Sequence, residues 1–208
     1  MTAAAQAVAA ASLRVVRFEF GYMARRRTQG GRKPPPRAET QVPEYRAAIA
    51  ALAVDGPLII GGKSMDGRVA SLVADELHAT GVVAGLLCLG YPFHPSGKPA
   101  QLRTAQLPGL QTPTLICEGT RDALGTREEV EGYTLSKRIE ILWLVDGDRD
   151  LKPRKRVTGL TPADHLQTVG EAVAGWARRI VRLRRQHGRV LEFDDKIGRG
   201  PIMAALDE

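Results

Sequence analysis

The residues best suited to chemistry lie in 59-IIGGKSMDGR-68, where a short apolar run meets two glycines, then Lys63-Ser64, then a helical pattern. Two chemistries use a strand–turn–helix of this kind. A phosphate-binding loop, G-x-x-x-x-G-K-[ST], wraps phosphates in backbone N–H groups. Gly62-Lys63-Ser64 supplies its end. However, Pro57 stands where the first glycine belongs, and Leu58-Ile59-Ile60 reads as strand where the loop should curve. A nucleophile elbow, G-x-S-x-G, instead lifts a serine hydroxyl above a sheet, with small residues on either side so that helix and strand can approach. Gly62 fits its first place and Ser64 its centre; Asp66 holds the second glycine's place, and Gly67 comes one late. A plainer reading stays open beside the elbow: Ser64 simply caps the helix.

A serine hydroxyl at neutral pH needs a base, and the base needs a carboxylate to orient it. In a strand-to-helix elbow fold the chain order is Ser, then Asp or Glu, then His. Asp122, at the end of 118-EGTRD-122, suits the acid, unless it only starts the turn toward Thr126. The histidine belongs after the last strand, in 146-DGDRDLKP-153, and that loop has none. His94 follows the strand-like run 82–89 and so lies on the same sheet edge as Ser64. His165 reads as a solvated or capping residue at the start of the last helix. His78 and His187 fall on charged helix surfaces.

These residues need a frame. Strand patterns occur at 13–20, 57–61, 82–89, 113–118 and 138–145, and 82–89 is continuously apolar, as in a parallel strand covered on both faces. Met65, Val69, Leu72, Val73 and Leu77 share a helix face, as do Val169, Ala172, Val173, Trp176, Ile180 and Leu183. Thr126 and Glu129 form a capping box, and Thr161 with Pro162 opens the last helix. Residues 44–54 are a further helix, and 21–43, rich in glycine, proline and charge, are a long loop. The alternation predicts an α/β fold: a three-layer sandwich with a mostly parallel sheet and active residues in the loops after the strands.

With 208 residues the chain forms one medium domain, here 1–184, followed by a loosely ordered basic and polar tail, 185–208. The net charge of +7 invites an anionic partner, yet only 5% of residues are aromatic. No stacking platform for single strands is visible, which disfavours nucleic acid. Cys88 and Cys117 sit in apolar runs as core thiols, and no His/Cys cluster suggests a metal or cofactor. There is no run long enough to span a membrane and no secretory leader at 1–12, so a cytoplasmic location is expected.

Taken together, GGKSM, 89-LGYPFHPSGKP-99, 118-EGTRD-122 and 146-DGDRDLKPRK-155 resemble bacterial predicted hydrolases related to dienelactone hydrolases. They are similar to the testis-expressed-protein-30-like branch of the α/β-hydrolases, over about residues 1–180. The resemblance implies an α/β-hydrolase fold, Ser64 as nucleophile, Asp122 as acid, and Gly62, Lys63, Met65 and Asp66 around the elbow and oxyanion position. It implies Tyr91 and His94 as pocket-lining residues and a small ester or acyl substrate. Three departures accompany it. Asp66 replaces a glycine, Arg149 replaces the catalytic histidine, and the family's first strand, with its oxyanion loop, has no counterpart before residue 13. Arginine cannot accept a proton at neutral pH. Loss of a triad member removes several orders of magnitude of rate. The expected function is therefore ancestral ester or acyl hydrolysis through Ser64, impaired in this chain. One alternative is a hydrolase that uses His94 as its base. The other is a non-enzymatic module that holds an anionic partner on the arginine-rich loops 25–37 and 152–156.

Overall fold

The computed structural model describes residues 2–30, 36–52, 54, 56–186 and 202–206. Strands β1 (Arg14–Phe18), β2 (Leu58–Lys63), β3 (Val83–Leu89), β4 (Thr114–Gly119), β5 (Ile139–Leu144) and β6 (Ile202–Leu206) form one sheet, ordered β1-β6-β2-β3-β4-β5. Every pairing is parallel. Parallel strands need crossovers, and the helices supply them. These are α1 (Thr2–Ala10), α2 (Gly21–Gln29), α3 (Val42–Ala51), α4 (Met65–Ala79), α5 (Arg127–Glu131), α6 (Lys155–Thr158) and α7 (Pro162–Gln186).

The sheet divides the core in two. On one face Tyr45 and Ile49 of α3 and Val69, Ala70 and Val73 of α4 bury against Ile60, Leu86 and Ile116. On the other, Val8 of α1 and Val169, Val173, Trp176 and Ile180 of α7 bury against Ile59, Leu87 and Cys117. Each large apolar side chain so buried contributes about 1.5–3 kcal/mol. Close approach depends on missing side chains: a Cβ on Gly85 of β3 would stand 2.6 Å from Ile180 and 2.8 Å from Trp176. Both cysteines are free and buried, and burial raises both thiols.

Two expectations fail. The segment 21–43 is not one long loop, because α2 occupies its start and a 3-10 turn, Ala38–Gln41, leads directly into α3. Helix α2 buries none of its residues, so it has no apolar stripe to read; Arg27 pairs with Glu19, and the Gly21 N–H donates to Glu44 Oε1 at 2.7 Å. The tail also does more than expected. Helix α7 runs to Gln186, and Ile202–Leu206 enters the sheet between β1 and β2. The gap that a missing strand would leave beside β2 is therefore filled, with Ile60 opposite Ala204. His187 lies outside the described residues, and among those described no helix is long and apolar enough to cross a membrane.

Candidate active site

Ser64 sits between the end of β2 and the start of α4, at φ 55° and ψ −118°, a backbone conformation that disfavours any side chain. Its side chain makes no cap bond to α4, which removes the capping reading. Its N–H donates to Leu89 O at 2.9 Å, and its carbonyl accepts from Arg68 N at 3.2 Å, so strand and helix both grip the turn. Gly62 is required here: a Cβ on it would stand 2.6 Å from the Asp66 Cβ. Gly67 likewise lies against Gly62 O and the Cys88 side chain, so the small residue one place late serves the helix–strand approach. Asp66 is fully buried at this contact, and Met65 is the first residue of α4.

The loops after β4 and β5 are locked together over the same edge. A Cβ on Gly119 would fall 2.3 Å from Gly147 O, so only glycine permits the two loops to touch. Arg121 N donates to Gly147 O, Asp146 N to Thr120 Oγ1, and Arg121 Nε to Asp146 O. Asp146, at φ 57°, is clamped by the Arg154 guanidinium, which holds its carboxyl low, at about 2. Asp148 Oδ1 accepts from the Asp150 and Lys152 N–H groups and tightens the turn that presents Arg149. Lys63, beside Ser64, bridges to Asp150 Oδ1.

This scaffold brings Ser64 and Arg149 into contact, with Asp122 nearby. Arg149 Nη2 donates to Ser64 Oγ at 2.7 Å. From Gly90, a Cβ would meet Arg149 O at 2.9 Å and Asp122 Oδ2 at 3.7 Å, so both residues lie beside that glycine. Asp122 is completely buried; its Oδ1 accepts from Leu124 N at 2.8 Å, and its Oδ2 has no hydrogen-bond partner among the described residues. Glu118 faces it. Burial, then the Asp122 charge, pushes the Glu118 carboxyl well above the usual carboxylate range. Its Oε2 accepts from Tyr91 N at 2.7 Å, and its Oε1 is unpartnered like Asp122 Oδ2. A proton held on Glu118 satisfies both orphaned oxygens at once. The sequence motif EGTRD had shown Asp122 but gave no reason to single out Glu118.

The histidines lie elsewhere. His94 is buried, with Nδ1 against Pro95 O at 2.9 Å and Nε2 against Glu129 Oε2 at 3.3 Å. Both ring nitrogens are thus engaged, and the partner of the Ser64 hydroxyl is Arg149. His165 is not solvated: it is buried, and its Nδ1 meets Leu151 O at 2.8 Å, bracing the Arg149 loop from behind. His78 holds Val83 O at 2.9 Å rather than facing solvent alone. Tyr91 is fully buried, its ring against Phe93 at 4.9 Å and its hydroxyl donating to Arg103 O at 3.0 Å. Of the basic runs, Arg27 and Arg154 are committed to Glu19 and Asp146, and 31–35 lie outside the described residues.

A parallel sheet clad on both faces, with a serine at a strained strand-to-helix turn on its C-terminal edge, defines the α/β-hydrolase class. The alpha/beta hydrolase domain family matches residues 1–178, and the chain belongs to that family. Among solved structures, it is similar to the esterase domain of a Rhodothermus marinus protein, with a TM-score of 0.58 at 18% identity over 86% of this chain and 79% of that one. It is also similar to a thermophilic esterase from Thermogutta terrifontis, at 0.53 and 16%, over 81% and 90%. At such identities the likeness is one of fold.

Proposed function

We propose that this chain is an α/β hydrolase of the dienelactone-hydrolase-related, testis-expressed-protein-30-like branch whose ester or acyl hydrolysis is impaired. Ser64 and Asp122 hold the nucleophile and acid positions, and Arg149 holds the position of the base. The observation that carries this reading is the 2.7 Å bond from Arg149 Nη2 to Ser64 Oγ. A base must accept the hydroxyl proton, and a guanidinium only donates. Ser64 therefore stays a neutral alcohol, hydrogen-bonded in the wrong sense for attack. Asp66 adds a buried carboxyl two residues from the serine, where an oxyanion would develop. The loss of a base from a serine triad lowers turnover by about 10⁴–10⁶-fold.

The test is direct. Purified protein is treated with a fluorophosphonate probe and assayed on p-nitrophenyl acetate. No labelling of Ser64 and negligible turnover are expected. Robust labelling that disappears in Ser64→Ala would overturn the reading. Turnover that falls in His94→Ala would instead support a histidine base from the loop after β3.

A further inference from the structure

Strand β5 ends the sheet, and among the described residues it pairs with β4 alone. The direction of its hydrogen bonds is fixed at both ends. The carbonyls of Arg138 and Leu144 accept from Thr114 N at 2.9 Å and from Thr120 N at 3.0 Å, both on the β4 side. Backbone groups alternate along a strand, so the even-numbered residues of β5 bond toward β4, and the N–H and C=O groups of Ile141 and Trp143 point to the open flank. The Ile139 N–H is already used, by Ser136 O at 3.0 Å.

An open flank invites a further strand, and folded proteins usually blunt it with charge, proline or a bulge. The opposite edge is treated in this way, since β1 carries exposed Arg14 and Arg17 within five residues. Strand β5 is not. Its run 139-IEILWLV-145 has no proline, its ladder with β4 has no register shift, and its one charge, Glu140, is paired with Arg179 of α7 at 2.5 Å. Strands β3 and β4 bury every residue, whereas Ile139, Ile141, Leu142 and Trp143 are only half-buried. Val145, which follows them, is 61% exposed.

We infer that β5 is an interaction surface for a second copy of this chain, the two β5 strands pairing antiparallel about a twofold axis through Leu142. Ile141 then exchanges main-chain hydrogen bonds with Trp143 of the second copy, and Trp143 with its Ile141, so the groups on the two open flanks fill one another reciprocally. The same residues make aromatic–aliphatic cross-strand pairs. Val145 falls opposite Ile139, which covers the most exposed apolar residue of the run. Charge selects this register. It sets Arg138 opposite Asp146, the residue that already takes Arg154. An axis through Trp143 would set Glu140 opposite Asp146, two carboxylates, and an axis through Ile141 would set Arg138 opposite the buried Leu144.

The test is sedimentation equilibrium of the whole chain over a wide range of concentration, which should show a reversible monomer–dimer equilibrium. Val145→Lys places a charge opposite Ile139 twice by symmetry and should weaken the dimer about 10-fold or more. Val82→Lys, at a 46% exposed position immediately before β3, should leave it unchanged. The register is read by crosslinking. Leu142 lies opposite its own copy in a non-hydrogen-bonded pair, with Cα atoms about 4.5 Å apart, within disulfide range. Leu142→Cys should therefore form an intermolecular disulfide under mild oxidation, and Glu140→Cys should not; Cys88 and Cys117 are buried and stay out of the reaction. Circular dichroism checks that each variant folds. A chain that stays monomeric at every concentration overturns the proposal and leaves the edge to another partner. So does a dimer that Val145→Lys leaves intact, or one in which folded Leu142→Cys fails to crosslink.

Discussion

On the proposed reading, replacing Arg149 by histidine should raise ester hydrolysis. Arg149 O and Asp122 Oδ2 both lie beside Gly90, so a histidine at 149 starts close to the carboxylate. Asp122 Oδ2 has no hydrogen-bond partner among the described residues and can accept from an imidazole N–H, which fixes the tautomer whose other nitrogen faces Ser64. A positioned general base is worth about 10²–10⁴-fold, which lowers the barrier by about 2.7–5.5 kcal/mol at 1.36 kcal/mol per tenfold. Any oxyanion donors act on wild type and variant alike and cancel in their ratio. The expected result for Arg149→His is a rise of at least about 100-fold in p-nitrophenyl acetate turnover. The rate should climb with pH through about 6.5, as the imidazole becomes neutral. The rise should vanish in Arg149→His/Ser64→Ala and shrink in Arg149→His/Asp122→Asn. A folded Arg149→His protein with unchanged turnover, or a gain that survives loss of Ser64, would refute the assignment of these three positions.

Three further outcomes concern stability. Ser64→Gly relieves a backbone conformation that costs about 1–3 kcal/mol in a non-glycine residue, and denaturant unfolding should show a net gain despite the lost bond to Arg149. Glu118→Gln should flatten stability against pH: a carboxyl raised in the fold contributes fully below its unfolded value of 4.5 and loses that contribution as pH climbs toward its folded value, so the variant should match wild type near pH 4 and exceed it at pH 8. Thr126→Ala removes a capping box, Glu129 N to Thr126 Oγ1 and Thr126 N to Glu129 Oε2, and should cost about 1 kcal/mol in urea unfolding.

Much of the molecule was legible in its residues. Continuous apolar runs such as 83–89 stay strands in any context because both faces are covered, and the stripes of α4 and α7 matched their buried sides except at Leu183, which is 48% exposed. Ser64 and Asp122 stood out because strand ends in a parallel sheet share one edge, and Arg149 because its loop resembles the family's. What could not be read depended on tertiary contact. Helix α2 buries no residue fully, with only Tyr22 and Met23 packed partly against the core, and β6 is five small and aliphatic residues in a charged, glycine-rich setting. His165 looked like a surface residue because its partner, Leu151 O, lies in a loop whose path the sequence does not reveal. The Arg68 and Arg103 carbonyls are joined by a hydrogen-bonded relay of Ser71, Gln106 and Tyr91 that brings together distant parts of the chain.

The placement of β6 has a consequence for the order in which the protein can be assembled. Among the described residues, strand β1 pairs with β6 alone. During synthesis, the pairing of residues 14–18 with β6 cannot form until residues 202–206 emerge, while β2 through β5 can already form with their crossover helices. The exposed flank of β2 is then a parallel template with backbone groups unfilled. Closing it requires a long-range insertion between two strands, the slowest kind of contact for a chain to make. The half of the sheet beside Ser64 is thus completed last, and its integrity depends on a segment far from the site in sequence.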